Sequence, residues 1–138
     1  MNAAKVFAIA ILALVPAIAA AQSVIDGTWM VINADKSMDL GSVVTFKVVR
    51  EGVEMSALSG THYKARLNGP DAKVEGDEKT TSVSVTMPRR NVLMEVSKRD
   101  GKPWLTMRME VEPDGKTAKV TWKNLKTDKG GNYEMARQ

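Results

Sequence analysis

The sequence predicts an all-β protein, an antiparallel up-and-down β-barrel of about eight to ten strands preceded by a signal-peptide helix. Three observations carry that prediction. From Ser23 onward apolar and polar residues alternate at period two, and no ten-residue segment holds a 3.6 period. Gly, Pro, Asn and Asp interrupt the alternation at short intervals, as hairpin turns require. The apolar residues fall into two populations: residues 1–21 hold 18, and residues 22–138 hold 42 in 117.

The first population has the layout of a secretory leader. Lys5 supplies the positive start, residues 6–15 are an unbroken apolar run, and Pro16 precedes small residues. Cleavage fits after Ala21, or after Ala19 as the second choice. A run of this length is short of the roughly 20 residues that span a bilayer, so no stable membrane insertion is expected after cleavage. Gln22 and Ser23 follow where a lipid-anchored protein would carry Cys. The expected division is a signal peptide over 1–21 and one barrel domain over 22–138, periplasmic or secreted and bacterial in type.

The strands follow in order. Residues 29–32 open the domain. In residues 43–50, Val44, Phe46 and Val48 share a face opposite Thr45 and Lys47, and Glu51-Gly52 turns the chain into Val53, Met55 and Ala57. Tyr63, Ala65 and Leu67 then alternate with His62, Lys64 and Arg66, and Val83, Val85 and Met87 with Ser82, Ser84 and Thr86. Val92, Met94 and Val96 are expected inside, with Glu95 and Ser97 outside. After the turn Arg99-Asp100-Gly101-Lys102, Leu105, Met107, Met109 and Val111 alternate with polar residues. Pro113-Asp114-Gly115-Lys116 is a second turn, leading to Ala118, Val120 and Trp122. Beyond Gly130-Gly131, Tyr133 and Met135 complete about nine strands. Left flat, such a meander exposes two sheet edges; closing it removes both. A two-sheet sandwich is the alternative, but consecutive short hairpins favour the up-and-down barrel.

The start of the first strand carries a resemblance. Gly27-Thr28-Trp29, followed by Asn33, Lys36 and Ser37, resembles the Gly-x-Trp signature of lipocalins and wider calycins. The turn Pro113-Asp114-Gly115-Lys116-Thr117 and the final Tyr133-Glu134 are similar to small secreted bacterial lipocalin-like proteins. The resemblance covers residues 24–138. It implies that Trp29 closes one barrel end, with Gly27 beside it and Arg137 packed on its ring through a cation–π contact; a frayed Arg137 is the plainer alternative. Fatty-acid-binding relatives insert a helical lid after the first strand, and residues 33–42 are too few for two helices. Avidins share Gly-x-Trp, and Gly60-Thr61-His62-Tyr63 matches them in part, but Trp29, Trp104 and Trp122 are fewer tryptophans than a biotin site needs.

Composition narrows the function. There is no Cys and one His, so disulfide frameworks, thiolate metal sites, Cys nucleophiles and any cluster of two imidazoles are excluded. His62 falls on an outward face as a solvated histidine; neither a metal site nor a Ser-His-Asp triad is expected. The acids sit in turns or on wet faces, and no catalytic residue or cofactor is assigned. The surplus of 20 basic over 16 acidic residues is scattered over turns without stacking aromatics, which argues against nucleic acid. A small barrel is either filled by side chains or hollow enough for one small ligand. The methionines suit both outcomes, as adaptable pocket walls or as gap-fillers. The candidate lining is Phe46, Met55, Met94, Met107, Met109 and Trp122, all uncharged, so the expected partner is a small apolar or amphipathic molecule bound without chemistry. The alternative is a structural or protein-interaction module with a filled core.

Overall fold

The computed structural model describes residues 23–36 and 38–138; residues 1–22, where the signal peptide is expected, and Ser37 lie outside the described residues. Ten strands follow one another: β1 (Gly27–Ala34), β2 (Val43–Val49), β3 (Gly52–Ala57), β4 (His62–Arg66), β5 (Ala72–Glu75), β6 (Ser82–Arg89), β7 (Val92–Arg99), β8 (Lys102–Val111), β9 (Thr117–Asn124) and β10 (Gly130–Arg137). Every strand pairs antiparallel with its neighbours in the chain, and β1 pairs with β10 to close the barrel. The barrel therefore has no free edge, which answers the edge problem that the alternating pattern poses. The described residues form no sandwich and no helix.

Nine of these strands follow the alternation read from the sequence, and β5 is the addition. It is four residues long with Val74 alone fully turned inward, too short for a period to show. Its registers are correspondingly brief: Tyr63 opposite Val74 on one side and Ala72 opposite Val83 on the other.

The inner face of β7 is the reverse of the expected one. Met94 lies outside with 38% of its surface exposed, while Leu93 is fully buried and Glu95 and Ser97 face the interior. Two bulges produce this. Across the Asp100-Gly101 turn the pairing starts as Arg99 with Lys102 and Lys98 with Pro103, and an unbroken ladder would then set Met94 against Met107. Instead Trp104 is skipped, so Ser97 meets Leu105 and Glu95 meets Met107. At the other end the ladder slips between Arg89 and Thr86, beside Pro88, which has no N–H to give a ladder. A one-residue slip moves every side chain to the opposite face, and with a slip at both ends the whole strand turns over. Trp104 is fixed in its bulge by an indole N–H donated to the Thr80 hydroxyl at 3.2 Å and by Arg99, 5.4 Å from the ring centroid.

Burial is graded along the barrel axis. On β8, Val111 and Met109 are sealed whereas Met107 and Leu105 are half-buried; on β2, Phe46 is sealed and Val44 is not. Ile25, Trp29, Val53, Leu93, Ala118 and Val120 are likewise fully buried. One end of the barrel is thus a packed core, and the other loosens toward the tips of the β1–β2 and β3–β4 connections.

Candidate ligand cavity

The closed end explains the Gly-x-Trp pattern in physical terms. Trp29 is wholly buried and donates its indole N–H to the Ile25 carbonyl at 3.0 Å. Arg137, opposite it in the β1–β10 register, places its guanidinium 4.3 Å from the ring centroid. The same guanidinium donates to the carbonyls of Gly115 (2.8 Å), Asp26 and Val24. Arg137 is therefore an ordered plug rather than a frayed end. Gly27 has a φ of +128°, and a Cβ there would lie 2.5 Å from Arg137 Nη1. Glycine is needed both for the backbone and to let the arginine in. The Asp26 carboxylate accepts the Val48 N–H, tying the start of β1 to β2.

The loose end holds a cavity of about 690 Å³. Its walls are the inward residues of β1–β3, β7, β8 and β10, among them Val44, Phe46, Met55, Met107 and Met135. Ten strands make a wider barrel than eight, and the side chains at this end do not fill it. Met38 and Leu58 stand at the mouth, with Leu58 82% exposed. A second pocket of about 320 Å³ adjoins across Met38, Leu105, Met107 and Tyr133, and carries Trp104, Trp122 and Lys79.

Of the six lining residues expected from the sequence, Phe46, Met55 and Met107 meet in the larger cavity, and Trp122 lines its smaller neighbour. Met109 is sealed one step deeper in the core, and Met94 is outside the barrel. The interior is neither filled nor hollow throughout. One half is each.

The expectation of an uncharged interior is overturned by Glu95. Among the described residues it is the one charged side chain lining the larger cavity. Its Oε1 accepts the hydroxyl of Tyr63 from β4, across the barrel. Burial pushes the Glu95 carboxyl up to about 7, with the Tyr63 hydrogen bond acting in the opposite direction. Glu95 keeps part of its surface uncovered, and that part opens onto the cavity. Tyr63 and Tyr133 are both shifted upward, first by burial and then by the Glu95 charge. Tyr63 was on the apolar face of its strand in the sequence, and a buried phenol calls for a partner. That demand was the available signal for an inward acid.

On the outer surface His62 links the Gly60 carbonyl and Glu75, each at 2.9 Å. Among the described residues no three His, Asp or Glu side chains are grouped as a metal site. Asn33 and Lys36, which belong to the Gly-x-Trp resemblance, are exposed, whereas the Asp35 carboxylate between them accepts the Asn132 N–H at 3.2 Å.

No protein-family model matches the chain, and no characterised protein matches it in sequence. A closed ten-strand antiparallel barrel with a Trp-Arg plug is compatible with a lipocalin-like fold.

Proposed function

We propose that this chain is a secreted or periplasmic lipocalin-like binding protein that holds a small apolar or amphipathic molecule inside the barrel, without catalysing a reaction. The observation that carries the reading is the 690 Å³ cavity at one barrel end, walled by methionine, valine and phenylalanine and opening at Met38 and Leu58. Cavities of this size suit ligands of several hundred daltons, and apolar walls with few polar groups are typical of such sites. The leader in residues 1–21 and the Gly27-x-Trp29 start support export and the lipocalin-like assignment.

Two measurements test it. Native mass spectrometry of protein purified from its own host should find a copurifying small molecule, and a fluorescent apolar dye should bind one per chain. A chain that arrives empty and takes up no dye, while pulling down one stoichiometric protein partner, sinks the reading in favour of an interaction module.

A further inference from the structure

The polar insert in the apolar wall points to a narrower ligand class, on the footing that the cavity is a binding site. We infer that the cavity selects protonated amines with an apolar body, and that the carboxylate of Glu95 is the counter-ion for the amine head.

Four observations support this. Glu95 is the charged side chain of the larger cavity among the described residues, and no Lys or Arg shares that wall. The cavity therefore has a negative sign inside a domain whose overall charge is basic. Second, the Tyr63 hydroxyl engages Oε1, and no other hydrogen bond to the Glu95 side chain occurs among the described residues. Every sealed side-chain N or O atom among them has a partner, so Oε2 opens onto the cavity as an acceptor. An ammonium group donates three hydrogen bonds, while a second carboxylate donates none. Third, the groups facing Glu95 carry no competing cation: Tyr63 from β4 and Tyr133 from β10 are phenols, and its register partners on β6 and β8 are Val85 and Met107. Lys79 lies in the adjoining smaller pocket. Fourth, the surrounding wall is apolar, which strengthens an ion pair once its partners are desolvated. The fold has already removed much of the water from Glu95, so the amine bears the remaining desolvation cost. The carboxyl titrates near 7 through burial, so at pH 8 most of it is ionised.

The test ranks three ligands that share one tail. Decylamine, decanol and decanoate compete with the uncharged dye N-phenyl-1-naphthylamine at pH 8, each below its micelle concentration. Decylamine is expected to displace the dye at a concentration about tenfold or more below decanol, the usual reach of one charge-assisted hydrogen bond. Decanoate should be the weakest. Glu95→Gln, which keeps the shape and can still accept from Tyr63, should bring decylamine to within about threefold of decanol. If decanol or decanoate matches decylamine on the unaltered protein, the amine inference is wrong while the binding reading stands. If dye and all three compounds fail to bind, both are wrong. The ranking on the unaltered protein needs no variant, so a poorly folded Glu95→Gln does not blunt it.

Discussion

The guanidinium of Arg137 lies 4.3 Å over the ring of Trp29, joining the last strand to the first at the point where the barrel closes. The contact does three things together. It covers the indole face, satisfies the carbonyls of Gly115, Asp26 and Val24, and pins the C-terminal strand. Cation–π attraction supplies about 1 kcal/mol and each charge-assisted hydrogen bond a similar amount. Arg137→Ala should therefore destabilise the fold by about 2–4 kcal/mol in urea unfolding, with the Trp29 emission shifted to longer wavelength. Arg137→Lys keeps the charge but not the planar fork, and should recover less than half of the loss. An alanine variant within about 0.5 kcal/mol of the parent would show the plug to be ornamental.

Gly27 gives a second measure of the same closure. An alanine there takes on a positive φ and meets Arg137 Nη1 at 2.5 Å. Backbone strain of this kind costs about 1–3 kcal/mol, and displacing the arginine adds to it. The Gly27→Ala and Arg137→Ala losses should sum to more than the double variant loses, because both act on one contact. Simple additivity in a double-mutant cycle would show that the glycine serves the backbone alone.

Most of the strands and the closed end were legible in the sequence because each rests on local chemistry. Leu105, Met107, Met109 and Val111 alternate cleanly, their turns carry glycine where φ is positive, and β8 faces as its pattern says. The Gly27-Thr28-Trp29 start pointed to a plug, and Arg137 is in it. What the sequence hid was β7. Val92, Met94 and Val96 alternate as well as any strand, but period two does not say which phase faces in. The phase is set at the bulges beside Trp104 and Pro88, and the Trp104 bulge is held from outside its hairpin, by Thr80. The single acid of the larger cavity was hidden by the same slip. β5 was invisible because four residues between two turns leave no period to read.

His62 makes a simpler case. Its ring bridges the Gly60 carbonyl and the Glu75 carboxylate, and the carbonyl contact is the larger cause of its upward shift. Its NMR titration should fall above the usual histidine midpoint of about 6.5. Glu75→Gln should lower it in part, leaving the carbonyl contribution. A midpoint unmoved by that change would remove the ion pair from the account.

Glu95 should leave its mark on stability against pH. Its carboxyl titrates near 7 in the folded protein and near 4.5 when unfolded, so the folded state holds the proton more tightly. Its contribution is present in full below about 4.5 and lost as pH rises through 7. Glu75, Glu110 and Asp128 run the other way. Hydrogen bonds from His62, Arg108 and Lys123 hold them low, so their contributions fade on acidification. The difference between Glu95→Gln and the parent isolates the one group. It should be near zero at pH 4 and rise to about 2 kcal/mol in favour of glutamine at pH 8, water in the cavity softening the full effect. A flat difference across that range would falsify the buried position of the carboxylate.

The cavity itself can be closed from its own wall. Ala57 ends β3 on the inner face, paired with Val44 and lining the larger cavity. A phenyl ring at this position projects into open space instead of into the sealed half around Met109 and Leu93. Core overpacking costs about 1–3 kcal/mol where neighbours are already in contact, but here the ring gains apolar burial worth about 25 cal/mol per Å². The two effects oppose each other, so Ala57→Phe should stay within about 1 kcal/mol of the parent in denaturant unfolding. Its capacity for the apolar dye should nevertheless fall at least tenfold, since the ring takes space a ligand needs, and a loss of about 1.4 kcal/mol already gives that factor. Ala136→Phe, on the neighbouring phase of β10 paired with Met30, should leave dye binding unchanged. Undiminished dye uptake by the Ala57→Phe protein would place the dye on the outer surface, and the cavity would lose its claim to be the binding site.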